Sequence, residues 1–114
     1  MGADDDAGAD CCEVVVTADD AGWLAGFTRT LVEERLAACG HLTEPVRSLY
    51  RWDGELHDER EARVALHTRR SLVPAIVART AELHPYAVPC VIALPISGGN
   101  PDYLAWIRAG TREF

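Results

Sequence analysis

Val46-Arg-Ser-Leu-Tyr-Arg-Trp52, then Asp53-Gly54, then Glu55-Leu-His-Asp-Glu-Arg-Glu-Ala-Arg-Val-Ala-Leu-His-Thr68 is the stretch whose reading decides the fold. Asp-Gly between two extended runs predicts a two-residue hairpin, because a type I′ turn needs positive φ at both central residues. Before the turn, Val46, Ser48, Tyr50 and Trp52 share one face, and Arg47, Leu49 and Arg51 share the other. After it, residues 55–61 are almost entirely polar, and apolar alternation resumes only at Ala62, Val64 and Leu66. The half of the hairpin nearest the turn therefore carries bulky aromatics with little apolar cover of its own. A lone two-stranded ribbon is marginal in water, so the pattern predicts an arm that docks on another subunit. The plainer alternative is a solvated hairpin with two stray aromatics.

Outward from the hairpin the chain alternates strand and helix. Residues 1–10 are Gly, Ala and Asp after the initial Met and read as a disordered acidic tail. A single domain is expected over 11–114. Cys11 to Thr17 is a β-branched run suited to a buried strand. Asp19 or Asp20 can cap a helix from about Ala21 to Cys39, with Leu24, Phe27, Leu31 and Ala38 on one stripe and Gly40 as its left-handed stop. After the hairpin, Ser71 is the expected cap of a helix from Leu72 to about His84. Its buried face would be Leu72, Val73, Ile76, Val77, Thr80 and Leu83. Val88 to Ile96 reads as a strand, short or at an edge because Pro89 and Pro95 cannot donate to a ladder. Asn100-Pro101 opens a last helix that Gly110 ends, with Tyr103, Trp106 and Ile107 along one side. The order β-α-β-β-α-β plus a terminal helix predicts an α+β, ferredoxin-like sandwich with a long β-hairpin arm. Two helices would cover one face of its sheet. The other face would be left for a homo-oligomer, and a closed ring buries all such faces equally.

Composition narrows the function classes. The chain has 114 residues, 48% hydrophobic and 25% charged, with a formal net charge of -7. Asp4, Asp5, Asp6 and Asp10 supply four of those negative charges. No basic stripe exists to neutralise phosphates, so nucleic-acid binding is disfavoured. No apolar run approaches membrane-spanning length, and no signal-peptide pattern is visible. Cys11, Cys12, Cys39 and Cys90 have neither disulfide-framework nor zinc-ribbon spacing, so reduced thiols and a cytoplasmic location are expected.

Four stretches together resemble the CutA divalent-cation tolerance family. They are Glu34-Arg35-Leu36-Ala37-Ala38-Cys39, Ser48 to Gly54, His84-Pro85-Tyr86-Ala87-Val88-Pro89, and Asn100 to Ile107. They stand in the family's order, and the resemblance covers roughly residues 12–108. The resemblance implies a ferredoxin-like protomer, a tight homotrimer built by hairpin exchange, and an association with copper and other divalent metals. It implies no reaction. Three stretches, five residues in all, depart from the family's usual pattern. Gly40-His41 stands where Val-Asn is usual, His67 where Lys is usual, and Ala87 and Cys90 where glutamates are usual. Losing carboxylates and gaining Cys and His shifts a site toward softer metals.

The metal candidates are accordingly Cys39, His41, His84 and Cys90. Each has a plain alternative. Cys39 and Cys90 could be small buried hydrophobes, and His84-Pro85-Tyr86 could be architectural, ending a helix and packing a tyrosine at the rim. His57 and His67 read as surface or sheet positions, and Cys11-Cys12 as structural. Tyr50, Trp52 and Trp106 are the expected oligomer anchors. No nucleophile-base set, phosphate loop or His-Glu-x-x-His appears. The leading expectation is a non-enzymatic trimer that binds copper or another divalent ion. The alternatives are a small-molecule sensor resembling the PII signalling proteins, with an anionic ligand between subunits, and a stable scaffold.

Overall fold

The computed structural model describes residues 10–113. Four strands, β1 (Cys11–Ala18), β2 (Cys39–Trp52), β3 (Glu55–Arg69) and β4 (Val91–Pro95), form one antiparallel sheet in the order β2-β3-β1-β4. Three α-helices, α1 (Ala21–Glu33), α2 (Val73–Leu83) and α3 (Pro101–Gly110), complete the α+β sandwich. The acidic tail read over residues 1–10 lies outside the described residues except for Asp10. That residue accepts a hydrogen bond from the Arg70 amide through its carbonyl.

Alternation decides which face of the sheet is which. Val14, Val16 and Ala18 of β1 and Ala62, Val64 and Leu66 of β3 point to one face. There they pack with Leu24, Phe27 and Leu31 of α1, and with Leu72 and Ile76 at the start of α2, as one core. The opposite face is not wholly bare, contrary to the expectation from sequence. α3 crosses one end of it, sealing Cys11 under Leu104 and Ile107. Beyond α3, Ile92 and Leu94 of β4 remain about half exposed.

The hairpin turns as its sequence requires. Asp53 has φ 53° and Gly54 φ 80°, both positive, and Trp52 pairs with Glu55. The ladder runs back to Cys39↔His67 with one irregularity between Thr43 and Val46, where the Glu44–Pro45 peptide is cis. Only Ala62–Arg69 of β3 also pairs with β1. Residues 46–61 therefore extend past the sheet as a two-stranded arm, and the molecule measures 51 × 25 × 22 Å.

Several element boundaries differ from the sequence reading. Helix α1 stops at Glu33 rather than Cys39, because Arg35 takes the left-handed conformation (φ 61°) that was assigned to Gly40. The Leu36 amide bonds back to the Leu31 carbonyl at 2.9 Å, a Schellman-type closure that turns Leu36 and Ala37 into the core. Gly40 lies in β2 for a different reason. A Cβ there would sit 2.5 Å from Thr28 Cγ2 of α1, so only glycine lets strand and helix approach. Ser71 does not cap α2. Arg70–Leu72 form a 3₁₀ turn that buries Leu72, and the helix starts without a side-chain cap. On α2, Val77 and Leu83 are exposed, so the buried stripe is narrower than expected. Strand β4 begins only at Val91, after a segment broken by Pro85 and Pro89, neither of which can donate to a ladder. It is an edge strand, as its prolines require. Asn100 caps α3 by accepting from the Asp102 amide at 3.0 Å, with Pro101 first in the helix and Gly110 last.

Candidate metal centre

At the base of the hairpin three elements converge on the sheet face crossed by α3. Cys39 opens β2 and is cross-strand partner to His67 near the end of β3, and His41 lies one step along, opposite Ala65. Strand alternation sends Cys39, His41 and His67 to the same face. Their donor atoms all lie within 4.8 Å of one another, with Cys39 and His67 half-buried and His41 exposed. Cys39 Sγ is 3.8 Å from His67 Nδ1, and the rings of His41 and His67 meet edge to face at 5.2 Å.

Two further side chains fix His67. Glu13 of β1, its other cross-strand neighbour, accepts a hydrogen bond at 3.0 Å from His67 Nε2. A carboxylate can only accept, so the Nε2 position carries hydrogen and the Nδ1 lone pair faces Cys39. From α3, the Tyr103 hydroxyl lies 2.5 Å from His67 Nδ1 and 3.3 Å from Cys39 Sγ. Burial, reinforced by Cys39 and by the Glu13 carboxylate, pushes the Tyr103 phenol up to about 12, so the hydroxyl stays protonated and donates to Nδ1. The Tyr103 ring stacks on Trp106 at 5.6 Å.

This donor set suits a metal of borderline softness. Thiolate and imidazole are ligands for zinc and copper, and a ligating His is held by a carboxylate on its other nitrogen in many such sites. Donors bound tetrahedrally at 2.3 Å (sulfur) and 2.0 Å (nitrogen) sit about 3.5 Å apart. The Cys39–His67 spacing therefore needs only a few tenths of an ångström of adjustment.

Of the four residues singled out by sequence, Cys39 and His41 meet here and His84 and Cys90 do not. His84 is buried elsewhere. Its Nε2 bonds the Thr17 carbonyl at 2.8 Å and its Nδ1 accepts from the Tyr86 amide at 3.1 Å, so both nitrogens are engaged. Thr17 lies four residues along β1 from Glu13, about 13 Å at the rise of a strand. Cys90 is exposed on the rim of a groove of about 540 Å³ between the arm and the 84–90 segment. Tyr50, Trp52, Tyr86 and Val88 line that groove, and Glu61 is its one charged lining residue. Tyr86 donates its hydroxyl to Glu61 at 2.8 Å, and burial together with that bond raises the Tyr86 phenol. Sequence reasoning missed His67, Glu13 and Tyr103 as partners of Cys39. The first two are brought there by cross-strand register, which the irregularity between Thr43 and Val46 shifts by one residue from a count back from the turn.

Comparison with known proteins agrees with this arrangement of elements. The family of the CutA1 divalent ion tolerance protein matches residues 12–110. The chain belongs to that family. The divalent-cation tolerance protein CutA of Thermus thermophilus is 39% identical over 98 residues, covering 86% of this chain and 95% of that protein. Protein CutA of Mus musculus is 43% identical over 87 residues, which are 76% of this chain and 49% of the mouse protein. The match thus spans about half the length of the mouse relative. The crystal structure of CutA1 from Oryza sativa has a TM-score of 0.90 at 34% identity, covering 95% of this chain and 99% of that one. Family membership supports a role in metal tolerance and a four-stranded α+β fold of the CutA1 type.

Proposed function

We propose that this CutA1 protein is a non-enzymatic, homotrimeric metal-binding protein that takes up copper, or another divalent ion of similar softness, at Cys39, His41 and His67. The observation that carries the reading is the convergence of one thiol and two imidazoles at the hairpin base, with Glu13 already orienting His67. The metal is cargo for a tolerance protein, so moderate affinity and an accessible His41 suit the role. His84 and Cys90, the other two sequence candidates, remain outside the proposed ligand set because His84 uses both nitrogens on backbone groups.

Trimer formation is supported by exposed apolar surface in the right places. Trp52 is 52% exposed on the arm, Trp106 49% exposed on α3, and Ile92 and Leu94 are open on the same sheet face. Tyr50 stacks on His57 beside them. All four cysteines are free, and a reducing compartment, the cytoplasm, would keep the Cys39 thiol available to metal. The sensor reading gains less from the groove, since its single charged lining residue is the carboxylate Glu61, which disfavours an anionic ligand.

Cobalt(II) provides the test, because it stands in for a tetrahedral divalent ion such as zinc and reports sulfur ligation by a thiolate-to-metal charge-transfer band. Titration of the reduced protein is expected to produce that band, and Cys39→Ser to abolish it. A band of undiminished intensity in Cys39→Ser would remove Cys39 from the site.

A further inference from the structure

We propose that Tyr103 governs access to this centre, its hydroxyl competing with the metal for the single lone pair on His67 Nδ1. The inference rests on the metal-binding reading above and adds how occupancy is controlled. A neutral imidazole has one donor nitrogen and one acceptor nitrogen. Glu13 commits Nε2 as the donor, which leaves Nδ1 as the only lone pair the ring can offer. Tyr103 already uses it at 2.5 Å, while lying 3.3 Å from the other ligand atom, Cys39 Sγ. The hydroxyl thus bridges both groups in the metal-free protein and keeps their polar atoms satisfied without an ion. A metal bound to Nδ1 must approach along the same lone-pair direction, so it cannot bind there until the Tyr103 hydrogen bond has opened.

The same geometry gives occupancy a way to reach the surface. Tyr103 stacks on Trp106 with 21° between the rings, and Trp106 is half-exposed on the outer side of α3. Displacing the phenol disturbs that stack. The other two tryptophans lie elsewhere: Trp23 packs against Phe27 and His84, and Trp52 is at the arm tip.

Zinc titration calorimetry of the reduced 114-residue chain, wild type against Tyr103→Phe, tests the proposal. Phenylalanine keeps the ring and its stack but removes the competing hydroxyl. Since one hydrogen bond is worth a net factor of about five, Tyr103→Phe is expected to bind zinc about fivefold more tightly. Zinc uptake with equal or weaker affinity in Tyr103→Phe would overturn the proposal while leaving the metal centre intact. Uptake by neither protein would overturn both. A second measurement needs no change at Tyr103. Zinc should shift the tryptophan emission of the wild type and leave that of Trp106→Phe unshifted. Zinc binding with no emission change in the wild type would contradict displacement of the phenol.

Discussion

The two halves of the β2–β3 hairpin are one continuous ladder with opposite surroundings. At the base, residues 39–43 face 63–67, and β3 is paired on both sides, with β2 and with β1. Val64 and Leu66 there are fully buried. On the arm, residues 46–52 face 55–61 and each strand has only the other as neighbour. Leu49 and Leu56 are more than 60% exposed. The bulge at Glu44–Pro45 separates the halves. Backbone pairing is alike in both, so the difference shows that hydrogen-bonded strands alone do not make a site. At the base, strand register and the docking of α3 bring Cys39, His41, His67 and Tyr103 together on one face. The other half presents aromatics that their own protomer covers only in part, Tyr50 by the ring of His57 and Trp52 with half its surface open.

The largest loss is expected at the base. Leu66→Ala empties a site with no solvent access and should destabilise the protein by about 3 kcal/mol, read by urea denaturation. Trp52→Ala on the arm should leave a folded protomer but weaken the trimer, by about 2 kcal/mol if it is an interface anchor. Sedimentation over a dilution series would then show dissociation at concentrations where the wild type stays associated. An unchanged sedimentation profile would mean the arm is merely solvated.

A finer contrast lies in two ion pairs of similar geometry. Arg79 of α2 grips Glu34 at the end of α1 with bonds of 3.0 and 2.6 Å. On the arm, Arg47 grips Asp58 at 2.9 and 2.7 Å. The Arg79 hydrogen bond holds the Glu34 carboxyl below its ordinary value of 4.5. A lowered folded-state pKa gives stability that is present above the ordinary value and lost as pH falls through the lowered one. Because both partners are about one-third exposed, solvent screens the pair and Arg79→Met should lower the melting temperature only slightly at neutral pH. That difference should shrink in acid below pH 4.5. Arg47→Ala, at a largely exposed side chain, should leave the melting temperature unchanged.

Much of this architecture was legible because local chemistry dictated it. Asp53-Gly54 could only be a tight turn, Asn100-Pro101 could only open a helix, and Pro95 demanded an edge. The end of α1 was not legible. Arg35 occupies a conformation that favours glycine, and it is held there by tertiary bonds, its guanidinium to the Ala109 carbonyl and its own carbonyl to the Arg112 amide. The candidate centre was half legible for a related reason. Counting back from the two-residue turn, an uninterrupted ladder pairs Cys39 with Thr68, whose side chain points into the core. The extra residue inserted at Glu44–Pro45 moves the register by one and brings His67 opposite Cys39 instead. One bulge therefore converts a structural position into a ligand position. Tyr103 was out of reach of any register argument, since only the docking of α3 across the sheet delivers it.

Native mass spectrometry of the reduced protein with added zinc, comparing wild type with His67→Ala, tests whether the hairpin base holds a metal. The account predicts a wild-type trimer that takes up three metal ions in saturable steps, and a His67→Ala trimer that stays bare. Equal uptake by the two proteins would contradict a centre at the hairpin base, and a wild type seen only as monomers would contradict the role given to the arm.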